Sequence, residues 1–130
     1  MAILDIENDI ISQLQSSITE LKVEGFPENS SEYKLLHPKG AILVRFQGAS
    51  YSLPNEAGFI QQTSNLEFNL TLMIKGLRNK NGAYNYIDSI ITTLTGFQGM
   101  YPTKVAFLTE DVGIWRYSLV FVVPGENYSL

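Results

Sequence analysis

Apolar residues recur along this chain at two spacings, and the switches between them divide it into elements. Ile6, Ile10, Ile11, Leu14, Ile18 and Leu21 return every three or four residues, which places them on one stripe of a helix. Asp5 or a neighbour is the expected cap, and the acids Glu7 and Asp9 suit the positive end of that helix. Lys22 to Phe26 reads as a short strand, and Pro27 to Pro38 as a polar loop carrying turn residues. Ala41 to Phe46 reads as a strand in which Ile42, Val44 and Phe46 alternate with Ala41, Leu43 and Arg45. Leu66, Phe68, Leu70, Leu72 and Ile74 then recur every second residue, the period of a strand with one buried face. After a turn from Gly76 to Gly82, the spacing of Ile87, Ile90, Ile91 and Leu94 is helical again, and Gly96 and Gly99 stop that helix. Val105 to Leu108 predicts a strand, Glu110 to Gly113 a turn, and Ile114 to Val123 a second strand with Trp115, Tyr117, Leu119, Phe121 and Val123 on one face. Val120 and Val122 are apolar too, so the end of this strand is expected to be covered on both sides.

The predicted order is α-β-β-β-α-β-β. It gives an α+β fold: a mainly antiparallel sheet of four or five strands with two helices packed on one face, in a single domain over 1–130. Such a sheet has open edges, and an uncovered edge is either blunted or used for assembly. Gln47 to Gln61 has no clear period and reads as a long loop carrying Tyr51, Leu53, Phe59 and Ile60. Those groups need cover, supplied either by the domain itself or by a neighbouring subunit. Trp115 is expected in the core by its alternation. Arg45 and Arg116 fall on the opposite register and are expected to face solvent or a partner subunit.

Composition narrows what such a domain does. With 130 residues, 45% apolar and 17% charged, the chain buries a substantial core and is not of the disordered class. A net charge of -4 opposes free nucleic-acid binding, because phosphate affinity depends on Lys and Arg releasing counterions. Absence of cysteine excludes disulfides, thiolate chemistry and Cys-based zinc sites. The acidic start and the lack of an apolar run near roughly 20 residues give the expectation of a cytoplasmic protein without export or membrane contact.

Candidate chemistry is sparse. His37 lies alone in the polar loop, without a second His or a Cys to build a metal site, and reads as a turn residue. Glu110 and Asp111 are the one close pair of acids and read as a solvated turn. No phosphate-cradling glycine motif and no nucleophile elbow occurs. The expectation is therefore no enzyme, no cofactor, no metal and no catalytic residue. Lys75, Arg78 and Lys80 form the basic cluster, followed by Tyr84 and Tyr86. A solvated corner is the first reading, a protein interface the second, and nucleic acid the last.

The stretches KVEGFPE, KGAILVRFQG, IKGLRNKNGAY and GIWRYSLVFVVP resemble the small tail terminator, or tail completion, proteins of contractile-tailed bacteriophages. The resemblance implies a structural subunit that forms a six-membered ring on the head-proximal end of the tail tube in the virion. Such a ring stops tube and sheath growth, holds the last sheath ring and meets the neck or head-completion proteins. DNA passes through the bore of an acidic ring without specific binding. Tyr51, Phe59, Lys75, Arg78 and Lys80 are the candidate interface residues. The alternatives are a neck or head-completion adaptor ring and, third, a small ligand-binding α+β domain.

Overall fold

The computed structural model describes residues 3–28, 39–54 and 62–125. Helix α1 (Ile3–Ser17), strands β1 (Lys22–Gly25), β2 (Gly40–Tyr51) and β3 (Ser64–Lys75), helix α2 (Ala83–Leu94) and strands β4 (Tyr101–Asp111) and β5 (Ile114–Gly125) follow one another in the predicted order. The strands form one sheet in the order β1-β2-β3-β5-β4. β1 joins β2 in parallel, and every other pairing is antiparallel. The fold is α+β, as the periodicity predicts.

Alternation decides which face of the sheet takes the helices. Register sets Ile42 opposite Leu72, Val44 opposite Leu70 and Phe46 opposite Phe68, and continues Leu70 to Leu119 and Phe68 to Phe121. These side chains point the same way and meet Ile6, Ile10 and Leu14 of α1 and Ile90 and Leu94 of α2 in one core. Both helices lie on that face and touch each other. α1 covers β1 and β2, whereas α2 covers β3. Between the helices, the Gln13 amide donates to the Thr93 carbonyl at 3.4 Å and the Tyr86 hydroxyl donates to the Glu20 carboxylate at 3.2 Å. Burial, and then the Glu20 bond and charge, raise the Tyr86 pKa above its ordinary value.

Four details differ from the sequence expectation. Asp5 sits inside the first turn of α1 instead of capping it, and Ile18 and Leu21 stay buried although the helix ends at Ser17. The buried stripe of α2 is Ala83, Tyr86, Ile90 and Leu94, while Ile87 and Ile91 are half-buried at its flank. β2 runs on to Tyr51 through a bulge between Phe46 and Gly48, so the first third of the expected loop from Gln47 is strand. β4 likewise spans Tyr101–Asp111, well beyond Val105 to Leu108, and takes in both acids of the expected turn. Ladder bonds to a neighbour sustain a strand even where its own side chains lack a clean alternation. Leu53 follows β2 fully exposed, and residues 55–61 of the loop, with Phe59 and Ile60, and His37 lie outside the described residues.

The β3-to-α2 connection is closed by its glycines. Gly76 has φ +87, and a side chain on either Gly76 or Gly82 would strike the Asn79 amide. Leu77 and Gly76 carbonyls accept from Tyr84 and Ala83 N–H at 3.1 and 3.2 Å, which satisfies the start of α2 without a side-chain cap.

Phe68 is fully buried at the middle of β3. Phe68→Ala is expected to cost about 3–5 kcal/mol in a urea unfolding experiment. Glu7, beside Gly25, has its pKa raised by burial. A folded-state pKa above the unfolded one favours the fold at acid pH, and that contribution is lost as pH rises through the raised value. Glu7→Gln is therefore expected to be at least as stable as the parent at pH 7, with any gain shrinking below the ordinary carboxylate range; a lower urea midpoint at pH 7 would contradict this.

Candidate functional site

Apolar side chains of the β4–β5 hairpin are exposed on both faces of the sheet: Phe107 on the helix side, and Leu108 on the reverse side, where it lines a groove with Asn69 and Arg116. Tyr101, Val105, Phe107, Leu108 and Val112 are all exposed, with Phe107 at 54%, Leu108 at 51% and Val112 at 90%. β4 is the last strand of the sheet, and among the described residues its outer edge has no ladder partner. It carries register shifts after Pro102 and Phe107, the bulges that edge strands use against uncontrolled pairing. The side chains, more than the backbone edge, are what this strand presents.

On the helix side, Phe107 stands 6.0 Å from Trp115 and 5.7 Å from Tyr117, centroid to centroid. Both partners are half-buried, so Trp115 only borders the core that its alternation predicts for it. The α2 layer ends before this strand pair, and no buried layer closes over the ring. Tyr84 continues the patch: the Arg78 guanidinium lies 5.8 Å above its ring. Burial and the nearby Tyr84 raise the Tyr117 pKa, and Arg78 opposes them. Aromatic groups and a guanidinium thus form one continuous surface.

Two contacts hold the tip of the hairpin. The Gly113 N–H donates to the Glu110 carboxylate at 2.9 Å, and the Gly76 N–H donates to the Gly113 carbonyl at 3.2 Å. The second ties the hairpin to the corner that bears Lys75, Arg78 and Lys80. Val112 and Gly113 both have positive φ, 52° and 78°, the conformation of a tight two-residue turn. For Gly this is free of strain. For a β-branched residue it costs about 1–2 kcal/mol, and Asn or Gly is the usual occupant. An apolar, strained and exposed Val112 is poorly explained by the stability of a lone subunit.

The opposite face of the sheet carries polar groups at its centre. Asn69 donates to the Ser118 hydroxyl at 2.6 Å and accepts from Thr71 at 3.1 Å, and Asn69 and Thr71 are buried. A groove of about 440 Å³ runs over this floor, flanked by Arg45 and Arg116. Arg45 lies 5.6 Å above the Phe26 ring. Among the described residues no group of three His, Cys, Asp or Glu is placed to hold a metal ion, and no helix is long and apolar enough to cross a membrane.

The sequence candidates therefore separate. Lys75, Arg78 and Lys80 share the hairpin end of the sheet. Tyr51 pairs with Ser64 at the other end, the length of β3 away, about 36 Å at the usual strand rise. Phe59 is outside the described residues. Tyr84, Phe107, Leu108 and Val112 carry no interface signal in the sequence beyond the place of Tyr84 after the basic cluster. The one signal available for the tip was a valine where a tight turn favours Asn.

The model of a family described as Gp37 protein matches residues 10–127. No curated protein matches the chain.

Val112→Asn is expected to raise unfolding stability by about 1 kcal/mol, since it relieves the left-handed strain and removes no buried contact. Phe107→Ala is expected to cost only about 1 kcal/mol, because its partners are half-exposed, and to shift the emission of Trp115, the sole Trp, to the red. A loss as large as that of a core Phe would show that the hairpin is part of the core.

Proposed function

The chain belongs to the Gp37 family, a family of phage proteins, and on that premise we propose that it is a tail terminator subunit. Membership suggests a structural component of the virion. In this reading the protein works by assembly and not by catalysis. Copies associate into a ring, six-membered by the resemblance of its sequence, on the head-proximal end of the tail tube. The ring ends tube and sheath growth and meets the neck proteins, and DNA passes through its bore.

The observation that carries the reading is the uncovered apolar hairpin. Monomeric proteins seldom leave contiguous aromatic and aliphatic groups in water without a partner for them. Here one strand pair exposes Phe107 on the helix side, Leu108 on the reverse side and Val112 at its tip, beside three basic groups at one corner. The resemblance in IKGLRNKNGAY and GIWRYSLVFVVP falls on this corner and this hairpin. The acidic total charge suits a ring through which DNA slides.

Light scattering across a concentration series tests the ring. Six copies of a 14.6 kDa chain give about 88 kDa. Isolated tail tubes test the role: bound protein is expected at one end only, with further tube polymerisation stopped. A protein that binds portal-side neck components and leaves tube growth unaffected would be an adaptor instead. Simultaneous charge reversal at Lys75, Arg78 and Lys80 is expected to impair assembly with an unchanged urea midpoint, because the groups are solvent-facing. Normal assembly by that variant would remove the basic corner from the interface.

A further inference from the structure

We propose that the groove on the reverse face of the sheet binds an extended acidic segment of a partner protein, held between Arg45 and Arg116. The groove faces away from both helices, and its occupation does not depend on ring formation.

The groove crosses the whole sheet. It begins at Phe26, which prolongs β1 by donating its N–H to the Val44 carbonyl at 2.8 Å, passes over β2, β3 and β5, and ends at Leu108 of β4. Four inter-strand steps give about 19 Å, the length of about six residues of extended chain. Its volume of about 440 Å³ is that of an ordinary binding cleft. Both ends are apolar, and the middle is polar. Arg45 is exposed and Arg116 half-buried, and both side chains line the same hollow from different strands, β2 and β5. An extended segment with apolar ends and a charged centre matches this order.

The sign of that charge follows from the donors. Among the described residues neither guanidinium meets a carboxylate. The bonds of the floor run in one direction, since Thr71 donates to Asn69 at 3.1 Å and Asn69 donates to Ser118 at 2.6 Å. A hydroxyl that accepts still has its own proton to give, so Ser118 is left as a donor into the groove, two residues from Arg116 on the same face of β5. Register also gathers Lys22, Arg45, Lys75, Lys104 and Arg116 on this face against Glu24, Glu67 and Asp111, although the whole chain carries -4. The helices on the other face hold Asp5, Glu7, Asp9 and Asp88 and no Lys or Arg. A carboxylate-bearing segment is therefore drawn to the reverse face and repelled from the helix face. Nucleic acid fits the groove less well. The Phe26 ring is packed beside Leu43 and Met73 and covered by Arg45, so it gives no open platform for a base, and exposed Leu108 calls for an apolar side chain.

The test uses a panel of fluorescein-labelled hexapeptides with adjacent glutamates between leucine or phenylalanine ends, titrated with the full chain and followed by anisotropy. Acidic members are expected to bind, more weakly as salt is raised, and their lysine counterparts not to bind. Arg45→Gln and Arg116→Gln are each expected to weaken that binding about tenfold or more without lowering the urea midpoint. Arg45 is exposed, so its variant keeps the test decisive even where Arg116→Gln folds poorly. Leu108→Ser is expected to weaken peptides with apolar ends and to leave an all-glutamate peptide unchanged. Absence of binding by every acidic peptide at about 1 mM protein overturns the proposal. So does equal binding by the parent and both arginine variants. Tighter, arginine-dependent binding of a short oligothymidylate than of any peptide would make the groove a nucleic-acid site and overturn it as well. Ring mass and the capping of tail tubes are read separately, so the terminator reading survives or fails on those measurements alone.

Discussion

The two halves of the sheet meet only through β3: β2 with β1 lies on one side of it, and β5 with β4 on the other. Its backbone is bonded along nearly its whole length on both edges, and from Phe68 to Ile74 its side chains are buried on both faces. Leu70, Leu72 and Ile74 hold the helices, and Met73 on the reverse side joins Ala41 and Leu43. The polar groups that this double burial encloses, Asn69 and Thr71, are satisfied by each other and by Ser118. Leaving any of them unpaired would cost about 1–3 kcal/mol, which explains why the three occur together.

From that anchor the helix layer extends in one direction only. α1 and α2 lie over β1, β2 and β3, held together by the Gln13–Thr93 bond and by the bond from Tyr86 to Glu20 in the turn after α1. Beyond β3 the sheet continues for two more strands, of which β5 is met only by the short 3-10 turn at Phe97–Gly99. β5 is buried where it adjoins the core, at Leu119 to Val123, and half-exposed toward the hairpin tip. The gradient along this one strand marks the border between the part of the sheet that the core covers and the part that stands open.

The same asymmetry distinguishes the two edges of the sheet. A sheet with a short strand on one side and a long, bulged, apolar strand on the other has two different ends. The positive-φ valine at the tip fits this division, since strain is retained where the fold does not depend on the residue.

The sequence by itself determined the elements, their order and the α+β class, because a period of two or of 3.6 reports directly on which side of an element meets the core. It also determined the inner face of β3, where Leu66, Phe68, Leu70, Leu72 and Ile74 alternate without a break, and the basic corner at Lys75, Arg78 and Lys80. It left unread the full lengths of β2 and β4, whose residues alternate poorly and owe their strand form to ladder bonds from β3 and β5. The exposure of Phe107 and the half-exposure of Trp115 were decided only by the tertiary structure. An alternating apolar pattern says that a side chain faces the helix side, but whether a helix reaches that far depends on where α2 docks, a matter of packing between distant segments. For the same reason Tyr51 and the basic corner, both candidates in the sequence, proved to lie at opposite ends of the sheet.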